Sequence, residues 1–197
     1  MSSFLAPIHF WLYNKIGVQE ALIRALAQSA ESQGFLKDTS AFVSEPLPDL
    51  RAAIDLGNIH GWLQDKIADS EQRLASLVTE LVRPDAGRMT RIAEAAEQFG
   101  KAHAIPEDAD AQDARKVITD TLVNGMPCDT VEKVTENTPE RVAWENTADL
   151  HGPYWSAVNG NPAHYWQIRS AVISGMCAAS QLTFHTLDDG SFEITRK

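Results

Sequence analysis

The sequence predicts an all-α protein: an antiparallel helical bundle, similar in form to a four-helix bundle, with a short β-hairpin at the C-terminus. Apolar residues recur at helical spacing over most of the chain, and residues that start or end helices separate these runs. From residue 182 onward the pattern changes to that of two short strands around a turn. With 197 residues, 44% of them hydrophobic, the chain is long enough to bury one sizeable core.

The helices are predicted in order along the chain. The first begins at Pro7, since proline suits the first helical turn, and ends where Gly34 follows Gln33. After a loop over residues 35–47, we expect a second helix from about Asp49 to Val82, a third from Asp85 to about His103, and a shorter one through residues 117–122. Two more begin at Thr138-Pro139 and Asn161-Pro162, because each pair places a capping side chain before a proline. The first of these is expected to run to about His151.

The C-terminal strands are predicted over residues 183–187 and 191–195, around the turn Asp188-Asp189-Gly190. An isolated hairpin is marginal in water, so it must pack on the bundle or on a partner chain. The predicted organisation is one domain, in which residues 1–181 form the bundle and residues 182–197 the hairpin appendage. The hairpin or an exposed apolar face also offers a surface for a homodimer.

Charge and composition exclude several classes of function. The formal net charge of −10 argues against binding to nucleic acid or to anionic membranes, since both need a basic surface. The apolar runs are too short to span a membrane, and residues 1–8 lack the pattern of a signal peptide. Cys128 and Cys177 are far apart in the sequence, which favours free thiols in a reducing compartment. We therefore expect a cytoplasmic protein that acts on a small molecule or on another protein.

Residues 8–20 and 59–71 share the pattern Ile-His-x-Trp-Leu-x-x-Lys-Ile-x-x-x-Glu. Within one helix the histidine and glutamate are about 16 Å apart, so they cannot share a ligand. If the first two helices are antiparallel, His9 faces Glu71 and Glu20 faces His60. Three interpretations stay open: the pairs fix the helix register as partly buried hydrogen-bonded couples, one pair holds a metal together with residues from the C-terminal helices, or the two helices do not pack in this way at all.

The C-terminal part of the chain concentrates aromatic and charged residues, and Arg169 is the most informative of them. It falls at the edge of the predicted buried face of the last helix. A buried cation needs a carboxylate or an anionic ligand, because it is very costly when unpaired. Glu145, Glu20 and Glu71 are the internal partners we consider, and a small anionic molecule is the alternative.

Two segments resemble a known family. Residues 58–69, Asn-Ile-His-Gly-Trp-Leu-Gln-Asp-Lys-Ile-Ala-Asp, are similar to the second helix of DinB-like four-helix bundles, and residues 164–169, His-Tyr-Trp-Gln-Ile-Arg, resemble the start of their last helix. Members of that family typically hold a divalent metal, often nickel or zinc, with one histidine from the second helix and a His-x-x-x-His on the last. The resemblance implies a helical bundle. It places Asp65 and His164 at ligand positions, with His60 little more than a turn from the first and Gly160 where the other histidine would stand.

Two classes of function therefore stay open. In the first, the protein is a metal-dependent or small-molecule enzyme with its site between helices, where histidine is a ligand or general base and Arg169 anchors an anion. In the second, it is a non-catalytic ligand-binding or interaction protein in which the same residues are structural. The candidate ligand-binding residues are His60, His9, Glu71, Glu20, His151, Arg169 and Trp155. The candidate ligands of a zinc or nickel ion are His60, His9, Glu71 and His164.

Overall fold

The structure is a computed structural model that describes residues 4–197. The α-helices in this range are α1 (Pro7–Ser32), α2 (Leu50–Ala53), α3 (Ile59–Val82), α4 (Arg88–Lys101), α5 (Ala111–Thr121), α6 (Gly152–Ala157) and α7 (Ala163–Cys177), with one 3-10 turn at Ser40–Phe42. The strands are β1 (Glu132–Asn137), β2 (Arg141–Asn146), β3 (Leu182–Thr186) and β4 (Phe192–Arg196). They form one antiparallel sheet in the order β1-β2-β4-β3. The predicted all-α class is therefore wrong, since the fold combines helices with a four-stranded sheet.

Three of the predicted helices, α1, α5 and α7, are confirmed. Helix α1 begins at Pro7 and ends shortly before Gly34, which adopts the left-handed backbone conformation with φ of 70°. Helix α5 begins after Asp110, whose side chain accepts a hydrogen bond from the backbone N–H of Asp113. Helix α7 follows Pro162, as the sequence predicts. Local start and stop signals were sufficient at these positions.

The helix predicted from Asp49 to Val82 is two helices, separated at residues 54–58. Asp55 accepts a hydrogen bond from the backbone N–H of Gly57, and Asn58 accepts one from Gly61 as the cap of α3. Short polar side chains of this kind offer the backbone partners that compete with a continuous helix. The apolar spacing of the region did not reveal this interruption.

The helix predicted from Thr138 to about His151 is wrong, because this segment holds the turn between β1 and β2 and then β2 itself. The Thr138 hydroxyl accepts from the backbone N–H of Arg141, which closes the turn. Strand β2 is the partner of both β1 and β4, and its residues Val142 and Trp144 are buried in the main core. The Trp144 ring stacks on Phe192 of β4. Pairing with the C-terminal hairpin therefore outweighs the local capping pattern.

The C-terminal hairpin is confirmed, with Gly190 in the left-handed conformation of its turn. Its strand β4 pairs with β2, so the two strands of the hairpin make up half of the four-stranded sheet. Phe184, Phe192 and Ile194 lie in the same apolar core as α5 and α7. On the other side of this core, α4 and α7 approach so closely that a Cβ atom at Gly175 would lie 2.1 Å from the carbonyl oxygen of Glu97.

Helices α1 and α3 are parallel, which overturns the predicted antiparallel arrangement. Contacts between them join residues separated by 51, 52 and 53 positions: His9 to His60, Gln19 to Glu71, and Glu20 to Arg73. A nearly constant separation means that both chains run in the same direction. The two copies of the repeated pattern therefore lie side by side.

The connection between α1 and α3 explains this direction, because it returns along α1. Thr39 donates to the Glu31 carboxylate near the end of α1, and the Tyr13 hydroxyl near its start donates to the carbonyl of Pro48. The return path must cover about 39 Å, the length of a helix of 26 residues. Residues 33–58 are sufficient for that distance. No helix within residues 4–197 is long and apolar enough to cross a membrane.

Candidate functional site

The predicted His–Glu couples do not form, and the histidines of the repeated pattern instead meet each other. Nε2 of His9 lies 3.4 Å from Nε2 of His60. Nδ1 of His9 accepts from the backbone N–H of Ala6, so the neutral ring carries its proton on Nε2 and donates to His60. Burial, and then the proximity of His60, hold the pKa of His9 below its ordinary value. The pair joins the first turns of α1 and α3.

Glu20 and Glu71 each have other partners. Both carboxylate oxygens of Glu20 accept from the guanidinium of Arg73, and Oε2 of Glu20 also accepts from the Ser44 hydroxyl at 2.8 Å. Gln19 donates to Oε1 of Glu71 at 2.9 Å. Nδ1 of His151 lies 3.1 Å from that same oxygen, although the two atoms are not aligned as a hydrogen bond. These contacts tie α1 and α3 to the rest of the molecule.

His151 and Trp155 lie in the interior. Nε2 of His151 is 3.0 Å from Oδ1 of Asn124, and its ring stacks on Tyr165 with 3.6 Å between centroids. Trp155 is fully buried in the main core, where its ring meets the edge of His164. Burial lowers the pKa of His164. Neither Trp155 nor His164 joins the other candidate site residues.

The four candidate metal ligands are not brought together. His9 and His60 form one contact, Glu71 belongs to the His151 network, and His164 lies against Trp155. In the described part of the chain, no three His, Cys, Asp or Glu side chains are placed to hold a metal ion. At Gly160, where the DinB-like pattern has a histidine, a Cβ atom would lie 2.3 Å from Oγ1 of Thr79. A larger side chain therefore does not fit there.

A pocket that the sequence did not reveal lies between α1, α5, α7 and the segment 122–132. It holds about 230 Å³ of space for water-sized molecules, and its lining includes Trp11, Lys15, Asn124, Glu132 and Arg169. We call it the Lys15 pocket. Of these five residues, only Arg169 was a candidate from the sequence.

Arg169 is anchored by groups other than those predicted. Its Nη1 donates to the backbone carbonyl of Val123 at 2.8 Å and lies 3.3 Å from the Tyr165 hydroxyl. Its Nη2 lies 3.9 Å from Oε1 of Glu132, close enough for attraction but too far for a hydrogen bond. Glu132, rather than Glu145, Glu20 or Glu71, is therefore its carboxylate partner. A hydrogen-bonding direction of Nη2 is left for another group.

Glu132 is shared with a second arginine. Nη2 of Arg115 donates to Oε2 of Glu132 at 2.5 Å, and the Arg115 guanidinium lies 4.5 Å above the ring of Trp144. Burial acts to raise the pKa of Glu132, but Arg115 and Arg169 outweigh it and hold the pKa below its ordinary value. The carboxylate is therefore ionised at neutral pH and balances one of its two arginines.

Lys15 is the third cation at this place and is only 4% exposed. Its Nζ lies 4.0 Å from the centroid of the Trp11 ring, and it makes no hydrogen bond or ion pair with any residue in the range 4–197. Burial lowers the pKa of Lys15 to about 8; Arg169 adds to this effect, whereas Glu132 and Asp120 oppose it. The Trp11 indole N–H donates to Asp120, which also pairs with Lys116 at the surface.

Lys66 occupies the same position in the second copy of the repeated pattern. Its Nζ lies 5.4 Å from the Trp62 ring, as the first copy would suggest. However, its side chain is 37% exposed and pairs with Asp69 at 3.8 Å. The shared Trp-x-x-x-Lys spacing was the available signal for Lys15, but it does not distinguish a buried lysine from a solvated one.

Comparison of the chain with family models, with curated proteins and with solved structures finds no match. The resemblance to DinB-like bundles therefore stays a prediction.

Proposed function

We propose that the protein binds a small anionic molecule, bearing a carboxylate or phosphate group, in the Lys15 pocket. One observation carries this proposal: the buried Lys15 lies close to two largely buried arginines, and a single largely buried carboxylate stands among the three cations. Lys15, Arg115 and Arg169 converge around Glu132. In a chain whose formal net charge is −10, this convergence is a local reversal of charge.

The energetics of burial support an anionic ligand. A buried ammonium without a carboxylate is costly, and within residues 4–197 Lys15 has the ring of Trp11 beside it but no hydrogen bond or ion pair. An anion in the pocket would accept from Nζ of Lys15 and from the free direction of Arg169 Nη2. The side-chain amide of Asn124 and the ring of Trp11 supply a polar and an apolar wall. The pocket volume favours a ligand smaller than a nucleotide.

The histidine and glutamate residues of the repeated pattern have structural roles in this proposal. Glu20 is occupied by Arg73, and Glu71 by Gln19 and His151. Their contacts join α3 to α1, and α1 forms one wall of the Lys15 pocket. This assignment favours a ligand-binding protein over an enzyme that uses these residues.

The proposal is tested by thermal unfolding with inorganic phosphate and with lactate, each titrated at constant ionic strength. A ligand that binds the native state raises the melting temperature in proportion to ln(1 + [L]/Kd). We expect this rise in the wild-type protein. Lys15→Met should weaken binding about 10-fold or more, because a charge-assisted hydrogen bond is lost. The matched control is Lys66→Met, which removes the equivalent exposed lysine and should bind as the wild type does.

Two results would contradict the proposal. One is the absence of any shift with either anion in the wild-type protein. The other is the same apparent affinity in Lys15→Met as in wild type, which would place the bound anion elsewhere. Fluorescence of Trp11 offers a second readout, since its ring forms part of the pocket wall.

A further inference from the structure

The amine of Lys15 combines three properties that rarely occur together. It is buried, it lines a pocket, and no described carboxylate holds it as an ammonium ion through a hydrogen bond. Lys66, at the same position of the second copy, differs in burial and in pairing, since it is partly exposed and pairs with Asp69. The arrangement around Lys15 is that of an amine kept available to a molecule in the pocket.

We propose that Lys15 is a nucleophile that forms an imine with a small 2-oxo acid bound in the Lys15 pocket. This inference rests on the proposed function, since the pocket must first hold the carboxylate of the substrate. The lone pair on Nζ attacks the ketone carbon, and a C–N bond forms as the C–O double bond opens. The former carbonyl oxygen then leaves as water, whose two protons come from the amine, and a C=N bond remains. No electrons are exchanged with another reactant.

The surroundings of Lys15 meet the requirements of this reaction. An amine attacks only when neutral, and with a pKa of about 8 roughly a tenth of the Lys15 side chains are neutral at about pH 7. Desolvation beside other cations is a known way of activating lysine, and both Arg169 and Arg115 contribute that effect here. Arg169 also offers the free Nη2 direction to a carboxylate. The same pocket thus supplies a nucleophile and an anchor for an acid.

A 2-oxo acid fits this pair of groups because it carries its carboxylate directly beside the ketone carbon. A simple aldehyde lacks the anchor, and a simple carboxylate lacks the electrophile. The pocket is small, which favours acids with few carbon atoms. The class inferred is therefore short 2-oxo acids.

The test is reductive trapping of the wild-type protein with pyruvate and sodium cyanoborohydride at about pH 7.5, followed by peptide mapping by mass spectrometry. We expect Lys15 to be modified on the order of 10-fold faster than Lys66, because burial lowers the pKa of Lys15 and because the pocket holds the carboxylate of pyruvate beside it. Inorganic phosphate should slow the modification of Lys15 and leave Lys66 unaffected. Equal rates at the two lysines would overturn the inference.

The wild-type protein itself separates this inference from the proposed function, because the rise in melting temperature with phosphate reports anion binding and the modification of Lys15 reports imine formation. Lys15→Arg cannot form an imine and should lose the modification at position 15. If phosphate and lactate bind to the wild-type protein but Lys15 reacts no faster than Lys66, the imine is wrong and the anion pocket stands. If Lys15 reacts quickly and phosphate gives neither protection nor a thermal shift, the amine is reactive and the anion pocket is wrong. The comparison of two lysines within one wild-type chain does not depend on the folding of any variant.

Discussion

Replacing Lys15 with methionine is expected to stabilise the free protein at about pH 7 by about 1–3 kcal/mol. Methionine keeps most of the length of the lysine stem and removes the charge. The pKa of Lys15 falls from 10.5 to about 8 on folding. At about 1.4 kcal/mol for each pKa unit, the buried ammonium destabilises the native state by about 3 kcal/mol. Loss of the contact with the Trp11 ring, 4.0 Å from Nζ, offsets roughly 0.5–2 kcal/mol of this gain.

The advantage of Lys15→Met should depend on pH. Between the pKa of about 8 in the folded protein and 10.5 in the unfolded chain, the unfolded state binds more protons at this position. The free energy of unfolding of the wild-type protein therefore increases as the pH rises through this window. The variant, which lacks the amine, shows no such increase from this position. The difference between the two proteins is largest below pH 8 and should shrink by more than half at about pH 9.5.

Urea unfolding followed by tryptophan fluorescence, at about pH 7 and about pH 9.5, measures both quantities. Lys66→Met is the control and should change the free energy of unfolding by less than about 0.5 kcal/mol, since Lys66 is partly exposed. A Lys15→Met protein that is less stable than wild type at neutral pH would refute the reasoning. So would a stabilisation that is the same at both pH values.

Three further predictions concern other parts of the structure. Glu132→Gln leaves two largely buried arginines without their carboxylate, and it should lower the free energy of unfolding, measured in urea, by about 3 kcal/mol. The control Glu145→Gln, at an exposed pair, should change it by less than about 0.5 kcal/mol. The pKa of His9 in the folded protein is lower than its ordinary value of 6.5, so the unfolded chain binds more protons at this residue. The stability of the wild-type protein should therefore fall as the pH drops below 6.5. A melting temperature that is flat between about pH 7 and about pH 5, both in wild type and in His9→Gln, would contradict this. Gly175→Ala places a Cβ atom 2.1 Å from a backbone oxygen of α4, and it should destabilise the protein by about 2 kcal/mol or more. In Gly17→Ala the new Cβ atom meets only a side-chain atom at 3.8 Å, so this variant should stabilise α1 by about 0.5–1 kcal/mol. Equal melting temperatures for the two glycine variants would show that α4 and α7 can separate freely.

The candidate site was only partly predictable. Arg169 was correctly expected to need a carboxylate or an anion, because the cost of burying a guanidinium follows from its charge alone. Its partner Glu132 is the first residue of β1, far from Arg169 in the sequence, and no local pattern links the two residues. Lys15 had a signal in its spacing from Trp11, but Lys66 has the same spacing and remains partly exposed. The difference comes from what packs beside each lysine: α5 and the segment 122–132 cover Lys15, whereas 37% of the Lys66 side chain stays exposed.

The amino-acid sequence by itself determined the features that depend on neighbours within a few positions. The helical periodicity of α1, α4, α5 and α7, the start of α7 after Pro162 and the C-terminal hairpin all belong to this class. The tertiary structure alone decided the direction of α3, because a connection of residues 33–58 is long enough to turn back along α1 or to form a short loop with a longer helix. It also decided the conformation of residues 138–146, where pairing with a strand about 50 residues later outweighs a helix-starting pattern. The burial of Lys15 belongs with these, since the desolvation of an amine depends on the atoms that surround it and not on its place in a repeat.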